Sequence, residues 1–225
     1  MLLDFNDLNV WYRKGSPVIR DLSLTLGEHE VVGLIGLNGA GKTTLINTIT
    51  GVHKGYSGGV NFADRDFKLC RYTVFSEDTS FQFYSFNEYL SHVFASYGKE
   101  ADAECVSKLA KGFGFEQYRT TLIRNLSTGN RRKAYLITGF ALGLPLLLLD
   151  EPVNGLDFQS TEYLYEQING YCEFGTVLFS SHVLESICLT SDRVLVLDGG
   201  AISREFKQNE IDAVAIREVL NEPTD

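Results

Sequence analysis

The chain has 225 residues, 44% hydrophobic and 22% charged, which supplies one substantial core with a small inserted lobe and leaves no length for a second full domain. A formal net charge of −9 repels polyanions and argues against general electrostatic binding to nucleic acid or anionic lipid. The longest apolar stretch, Gly139 to Leu149, contains Pro145 and is closed by Asp150, so it falls short of the ~20 residues that a membrane-spanning helix needs.

In chain order, the opening MLLDFNDLNV lacks the basic start and sustained apolar run of a secretory signal, which predicts a cytoplasmic protein. The segments LDFNDLNVWY and VIRDLSLTL alternate apolar and polar residues around the turn-like RKGSP and predict an antiparallel hairpin. A strand, VVGLIG, then runs into a glycine-rich turn and a helix beginning near Lys42. From about Phe86 to Asn125 the pattern is helical and more polar, and predicts a helical lobe inserted into an α/β core. A helix from about Arg131 to Leu142, the strand LLLLD, a helix from about Thr161 to Tyr171 and the strands TVLFSS and RVLVLD complete the pattern. Strands alternating with helices predict a mostly parallel sheet with helices on its faces. Cys70, Cys105, Cys172 and Cys188 have neither CxxC spacing nor nearby histidines, and read as plain thiols rather than metal ligands.

The turn Gly36-Leu37-Asn38-Gly39-Ala40-Gly41-Lys42-Thr43-Thr44 matches the P-loop pattern GxxxxGK[ST], between a strand and a helix as that motif requires. Its glycines let backbone N–H groups turn toward phosphate oxygens, the helix start adds a partial positive charge, and Lys42 adds a full one. Thr43 is placed to put its hydroxyl on Mg²⁺. A plain glycine-rich turn needs neither the lysine nor that hydroxyl. The buried strand Leu146 to Leu149 ends in Asp150 and Glu151, and this pairing assigns Asp150 to the metal and Glu151 to orienting or deprotonating the attacking water. Together these motifs predict ATP and Mg²⁺ as ligands of a P-loop NTPase core.

At this point the sequence resembles the nucleotide-binding domain of ABC transporters, from the first hairpin to about Asp198. The resemblance rests on Leu126-Ser127-Thr128-Gly129-Asn130, similar to the family signature LSGGQ, on Asp150-Glu151-Pro152, on Asn154-Gly155-Leu156-Asp157, similar to the D-loop, and on Ser180-Ser181-His182, similar to the switch histidine. It implies a head-to-tail pair of cassettes, as a homodimer or heterodimer, in which Ser127 and Gly129 of one chain cap ATP held by the other. Ser127 opens a helix, which by itself suits a phosphate. The resemblance further implies that His182 senses the γ-phosphate and that an aromatic near the start stacks on adenine. Tyr12 is preferred to its neighbour Trp11, since only one of two consecutive strand residues can face the base.

The chain departs from the family twice. Thr128 and Asn130 replace a glycine and a glutamine in the signature, and Ser76 falls where the family's Q-loop carries glutamine, with Glu77 or Gln82 as alternative substitutes. The implied activity is ATP hydrolysis that drives a separate integral membrane permease from its cytoplasmic face, with export favoured by the compact length. The rival readings are a soluble ABC ATPase not coupled to transport and a nucleotide-gated regulatory subunit with little hydrolysis. Nucleic acid is not an expected partner. His29, His53 and His92 carry no motif and are expected to be surface residues.

Overall fold

A computed structural model describes residues 1–62 and 67–221. Strands β1 (Leu3–Arg13) and β2 (Ser16–Leu26) form the expected hairpin, paired from Leu3 opposite Leu26 to Arg13 opposite Ser16. Leu3, Phe5, Leu8 and Val10 turn inward and are fully buried. A third strand, β4 (Tyr56–Phe62), adds antiparallel to the other edge of β1. Its sequence YSGGVNF conceals it, because two glycines remove the alternation that marks a strand.

The larger sheet runs in the order β5 (Arg71–Val74), β6 (Leu146–Asp150), β7 (Thr176–Ser181), β3 (Val31–Ile35), β8 (Arg193–Asp198) and β9 (Ala201–Lys207). The first five are parallel and β9 closes the edge antiparallel to β8. Both faces are covered, so the central strands read as unbroken apolar runs. Leu147, Leu149, Val177, Phe179, Val194 and Val196 belong to one apolar cluster, while Leu146, Leu148, Leu178, Leu195 and Leu197 belong to another that reaches the first sheet and α1 (Lys42–Ile49).

The helices on the first face are α2 (Phe86–Ser96), α3 (Ala103–Gly112), α4 (Thr128–Leu142), α5 (Phe158–Tyr171), α6 (Leu184–Thr190) and α7 (Ala213–Asn221). α4 and α5 start three residues earlier than the apolar pattern predicts, because Ser127 accepts from Asn130 N and Asp157 accepts from Ser160 N, and these caps set the boundary. α6 and α7 lie in segments with no helix assigned from sequence. α2 and α3 occupy the stretch expected to be helical, and Phe86 and Val106 on them, with Phe113 and Phe115 just beyond α3, pack into the cluster shared with α4 and the sheet. All four cysteines are free and partly buried.

One buried polar contact fastens α2 to the sheet. The hydroxyls of Tyr72 on β5 and Tyr89 on α2 are hydrogen-bonded to each other, and burial pushes both phenols far above their ordinary range, so both stay neutral. Tyr89→Phe orphans the Tyr72 hydroxyl and is expected to destabilise by about 1–3 kcal/mol, whereas Tyr72→Phe/Tyr89→Phe removes both polar groups and is expected to be nearly neutral. Urea unfolding of the three variants checks this, and a double variant no more stable than Tyr89→Phe contradicts it.

Candidate nucleotide site

Because β3, β5, β6 and β7 are parallel, their carboxyl ends meet at one edge of the sheet, where α/β proteins hold ligands. The loop after β3 wraps this edge. Gly41 has φ of 110°, a left-handed conformation that ordinary side chains rarely adopt, and a Cβ there would sit 2.7 Å from Ile19 Cδ1. The turn thus needs glycine on both counts, and it delivers Lys42 at the start of α1.

Lys42 is buried and its Nζ donates to the Gly36 carbonyl at 2.8 Å while lying 3.6 Å from Glu151 Oε1. One residue on, Thr43 Oγ1 donates to Asp150 Oδ2 at 2.9 Å. Asp150 is fully buried, and its other oxygen accepts from Ser180 Oγ at 2.7 Å. Among the described residues both hydrogen-bond donors to this carboxylate are neutral hydroxyls, so a cation beside it would compensate a charge that burial makes costly. A carboxylate and a hydroxyl are hard oxygen donors of the kind that suits Mg²⁺. Among the described residues no group of three or more His, Cys, Asp or Glu is placed to hold a metal.

Glu151 follows with φ of 49°, unusual for a residue with a side chain, and its N–H donates to Ser180 Oγ at 2.9 Å. That turn aims the carboxylate across the cleft, where Oε2 accepts from His182 Nδ1 at 2.7 Å. Asn38, Gly39, Gly41, Lys42, Thr43, Thr44 and Glu151 line one cleft together with Ser76. Of Ser76, Glu77 and Gln82, Ser76 is the one that lines this cleft. Gly36 lies beneath, as the carbonyl partner of Lys42 Nζ, and Ala40 packs its side chain against the first sheet's cluster.

Tyr12, well exposed at the end of β1, reaches Thr44 with its hydroxyl at 3.3 Å and leaves most of its ring open beside the cleft. His53 differs from the expectation of a free surface residue. Its ring centroid is 4.7 Å from that of Tyr12, and its Nε2 lies 3.0 Å from the Trp11 carbonyl. Ser127 and Gly129 do not line the cleft. Ser127 caps α4, and Gly129 lies so close to the D-loop that an added Cβ would stand 2.2 Å from the Gly155 carbonyl.

Three contributors escaped sequence reasoning. Ser180 bridges the two acids, and His53 backs Tyr12. Arg132 is buried on α4 and donates to the carbonyls of Phe75, Ser76 and Asp150. Burial draws the Arg132 guanidinium below its ordinary range, while the nearby Asp150, Glu151 and Asp78 oppose that shift. Only Ser180 had a signal, as part of the strand end that carries His182.

The sequence model for the ABC transporter family matches residues 19–154. A putative ABC transporter ATP-binding protein, AlbC of Bacillus subtilis, is 37% identical over 90% of each chain. The SkfA peptide export ATP-binding protein SkfE of the same organism is 28% identical over 91% of this chain and 89% of its own. Among solved structures, an ATP-binding subunit of an ABC transporter superposes with a TM-score of 0.84 at 23% identity, covering 100% of this chain and 96% of the other. An ATP-binding cassette dimer bound to ADP and phosphate superposes with a TM-score of 0.81 at 20% identity over 92% of this chain and 99% of its own, which shows a shared fold. The chain belongs to the ABC transporter family, as its ATP-binding cassette and ATPase subunit.

Proposed function

We propose that this cassette hydrolyses ATP as one half of a head-to-tail pair and thereby energises a separate membrane permease. The observation that carries this reading is a division of labour. The cleft gathers the groups for binding and hydrolysis, yet the signature residues Ser127 and Gly129 lie outside it. A second cassette would bring its own Ser127 to the opposite side of the nucleotide, where a helix start with a hydroxyl suits a γ-phosphate.

In this reading Tyr12 stacks on the base and the P-loop backbone cradles the phosphates. Lys42 exchanges its contact with Glu151 for phosphate oxygens. Thr43 and Asp150 hold Mg²⁺, which when bound supplies positive charge to the phosphates. Glu151, steered by His182, orients the attacking water and takes its proton. The products are ADP and phosphate, and closure with ATP followed by opening after hydrolysis transmits work through the differential affinity of the two states.

No helix among the described residues is long and apolar enough to cross a membrane. In this reading the chain sits on the cytoplasmic face, held there by its permease. Phe81, Phe83 and Tyr84 are exposed just after the Ser76 loop and form an aromatic patch suited to that partner. Export is supported by the similarity to a peptide export ATP-binding protein.

Lys42→Ala is expected to weaken ATP binding by roughly 100-fold, since a buried charge-assisted contact is removed. Glu151→Gln is expected to bind ATP as the unaltered protein does while kcat falls roughly 10²- to 10⁴-fold. Fluorescent-nucleotide titration and phosphate release, with and without a co-purified membrane partner, check both; unchanged turnover in Glu151→Gln refutes its role as base.

Tyr12→Ala is expected to weaken ATP and GTP alike, by roughly 1–3 kcal/mol, because stacking ignores the base's hydrogen-bonding edge. Trp11→Ala should cost less in the same titration, and a larger loss there reverses the assignment.

A further inference from the structure

Arg132 occupies an unusual position. It lies on α4 in the turn after the Ser127 cap, is 6% exposed, and spends its guanidinium on main-chain carbonyls that belong to two other elements. Nη1 donates to Phe75 O at 2.7 Å and to Asp150 O at 3.2 Å, and Nη2 donates to Ser76 O at 2.5 Å. Burying a cation is costly unless it is paired or fully hydrogen-bonded. A core that needed only volume here would be served by leucine, so a buried arginine directs attention to what its fork holds together.

Each of the three carbonyls has a place in the site. Ser76 is the residue by which the loop after β5 reaches the nucleotide cleft, Phe75 is its stem, and Asp150 ends β6 between the Thr43 and Ser180 hydroxyls. The guanidinium is planar and rigid, with donors in fixed directions, so it sets the separation of the groups it bridges in a way that a single-point ammonium does not. Because Ser76 is too short to reach far into the cleft with its own side chain, the path of the loop's backbone decides where its hydroxyl lies.

We propose that Arg132 is a positioning residue for hydrolysis: by clamping Phe75, Ser76 and Asp150 to the helix that Ser127 caps, it couples the place of the signature to the place of the loop facing the cis nucleotide. Movement of α4 when a second cassette engages Ser127 is passed through one rigid side chain to Ser76 and to the base of the Asp150-Glu151 turn. The inference rests on the nucleotide reading above and adds to it the link between the two halves of the site.

The test uses the full chain with Arg132→Lys, which keeps the charge and loses the fork, and Arg132→Gln, which loses both. Hydrogen exchange of the peptide spanning residues 75–81 is measured without nucleotide, and kcat, nucleotide affinity and melting temperature are measured beside it. Expected are faster exchange in that peptide, kcat lowered roughly 10- to 100-fold as for other small displacements of reacting groups, and affinity for a fluorescent ATP analogue within about 3-fold of the unaltered protein. Arg132→Lys should not rescue. Unchanged exchange, retained kcat, full rescue by lysine, or a joint loss of affinity, melting temperature and kcat would each overturn the proposal, the last by reducing Arg132 to a core residue. If the unaltered protein fails to bind the analogue, the nucleotide reading itself fails and this coupling falls with it, an outcome distinguished because the exchange comparison still reports whether the clamp exists.

Discussion

A fully buried carboxylate at the end of an apolar strand is the constraint on which this site turns. Asp150 cannot be left alone there, and the fold answers with two hydroxyls, one from α1 and one from β7. Each hydroxyl ties Asp150 to an element that carries another part of the chemistry. Thr43 adjoins Lys42, and Ser180 also takes the N–H of Glu151 and precedes His182 on its strand end. Holding Glu151 in a left-handed conformation costs on the order of 1–3 kcal/mol, and the contacts to Ser180, Lys42 and His182 offset that cost while aiming its carboxylate into the cleft.

The start of α4 is a second point of convergence. Within two turns, Ser127 caps the helix, Gly129 lies against Gly155, Arg132 clamps the Ser76 loop, and Lys133 pairs with Asp157 at 2.7 Å. Lys133, then the Ser160 N–H, holds the Asp157 carboxyl well below the usual carboxylate range. A carboxylate with a depressed pKa contributes stability above its unfolded value and loses it as pH falls, so this tie is intact at neutral pH. The D-loop, the signature and the Ser76 loop are thereby fastened to one helix, a geometry that lets a contact at one reach the others.

Much of this was legible in the sequence, for identifiable reasons. The parallel strands announce themselves because both faces are buried, and the P-loop does so because phosphate binding demands glycines, lysine and a hydroxyl in fixed order. Strand β4 was hidden by its glycines, and the true starts of α4 and α5 by caps that lie outside the apolar pattern. Arg132 and His53 were invisible for a different reason. Arg132 donates to backbone carbonyls from distant segments and His53 meets the Trp11 carbonyl beside the Tyr12 ring, and a carbonyl leaves no mark on residue identity. Sequence put Ser76 at the Q-loop position with Glu77 or Gln82 as substitutes, and of the three only Ser76 lines the cleft.

In the proposed pairing Ser127 acts on nucleotide held by another cassette. Light scattering after size exclusion, on Glu151→Gln and on Glu151→Gln/Ser127→Arg with and without ATP, tests it most directly. The account predicts an ATP-dependent doubling of mass in the first protein and none in the second, with the affinity of the second for ATP kept within a few-fold. An equal shift to dimer in both would contradict it and confine Ser127 to capping α4.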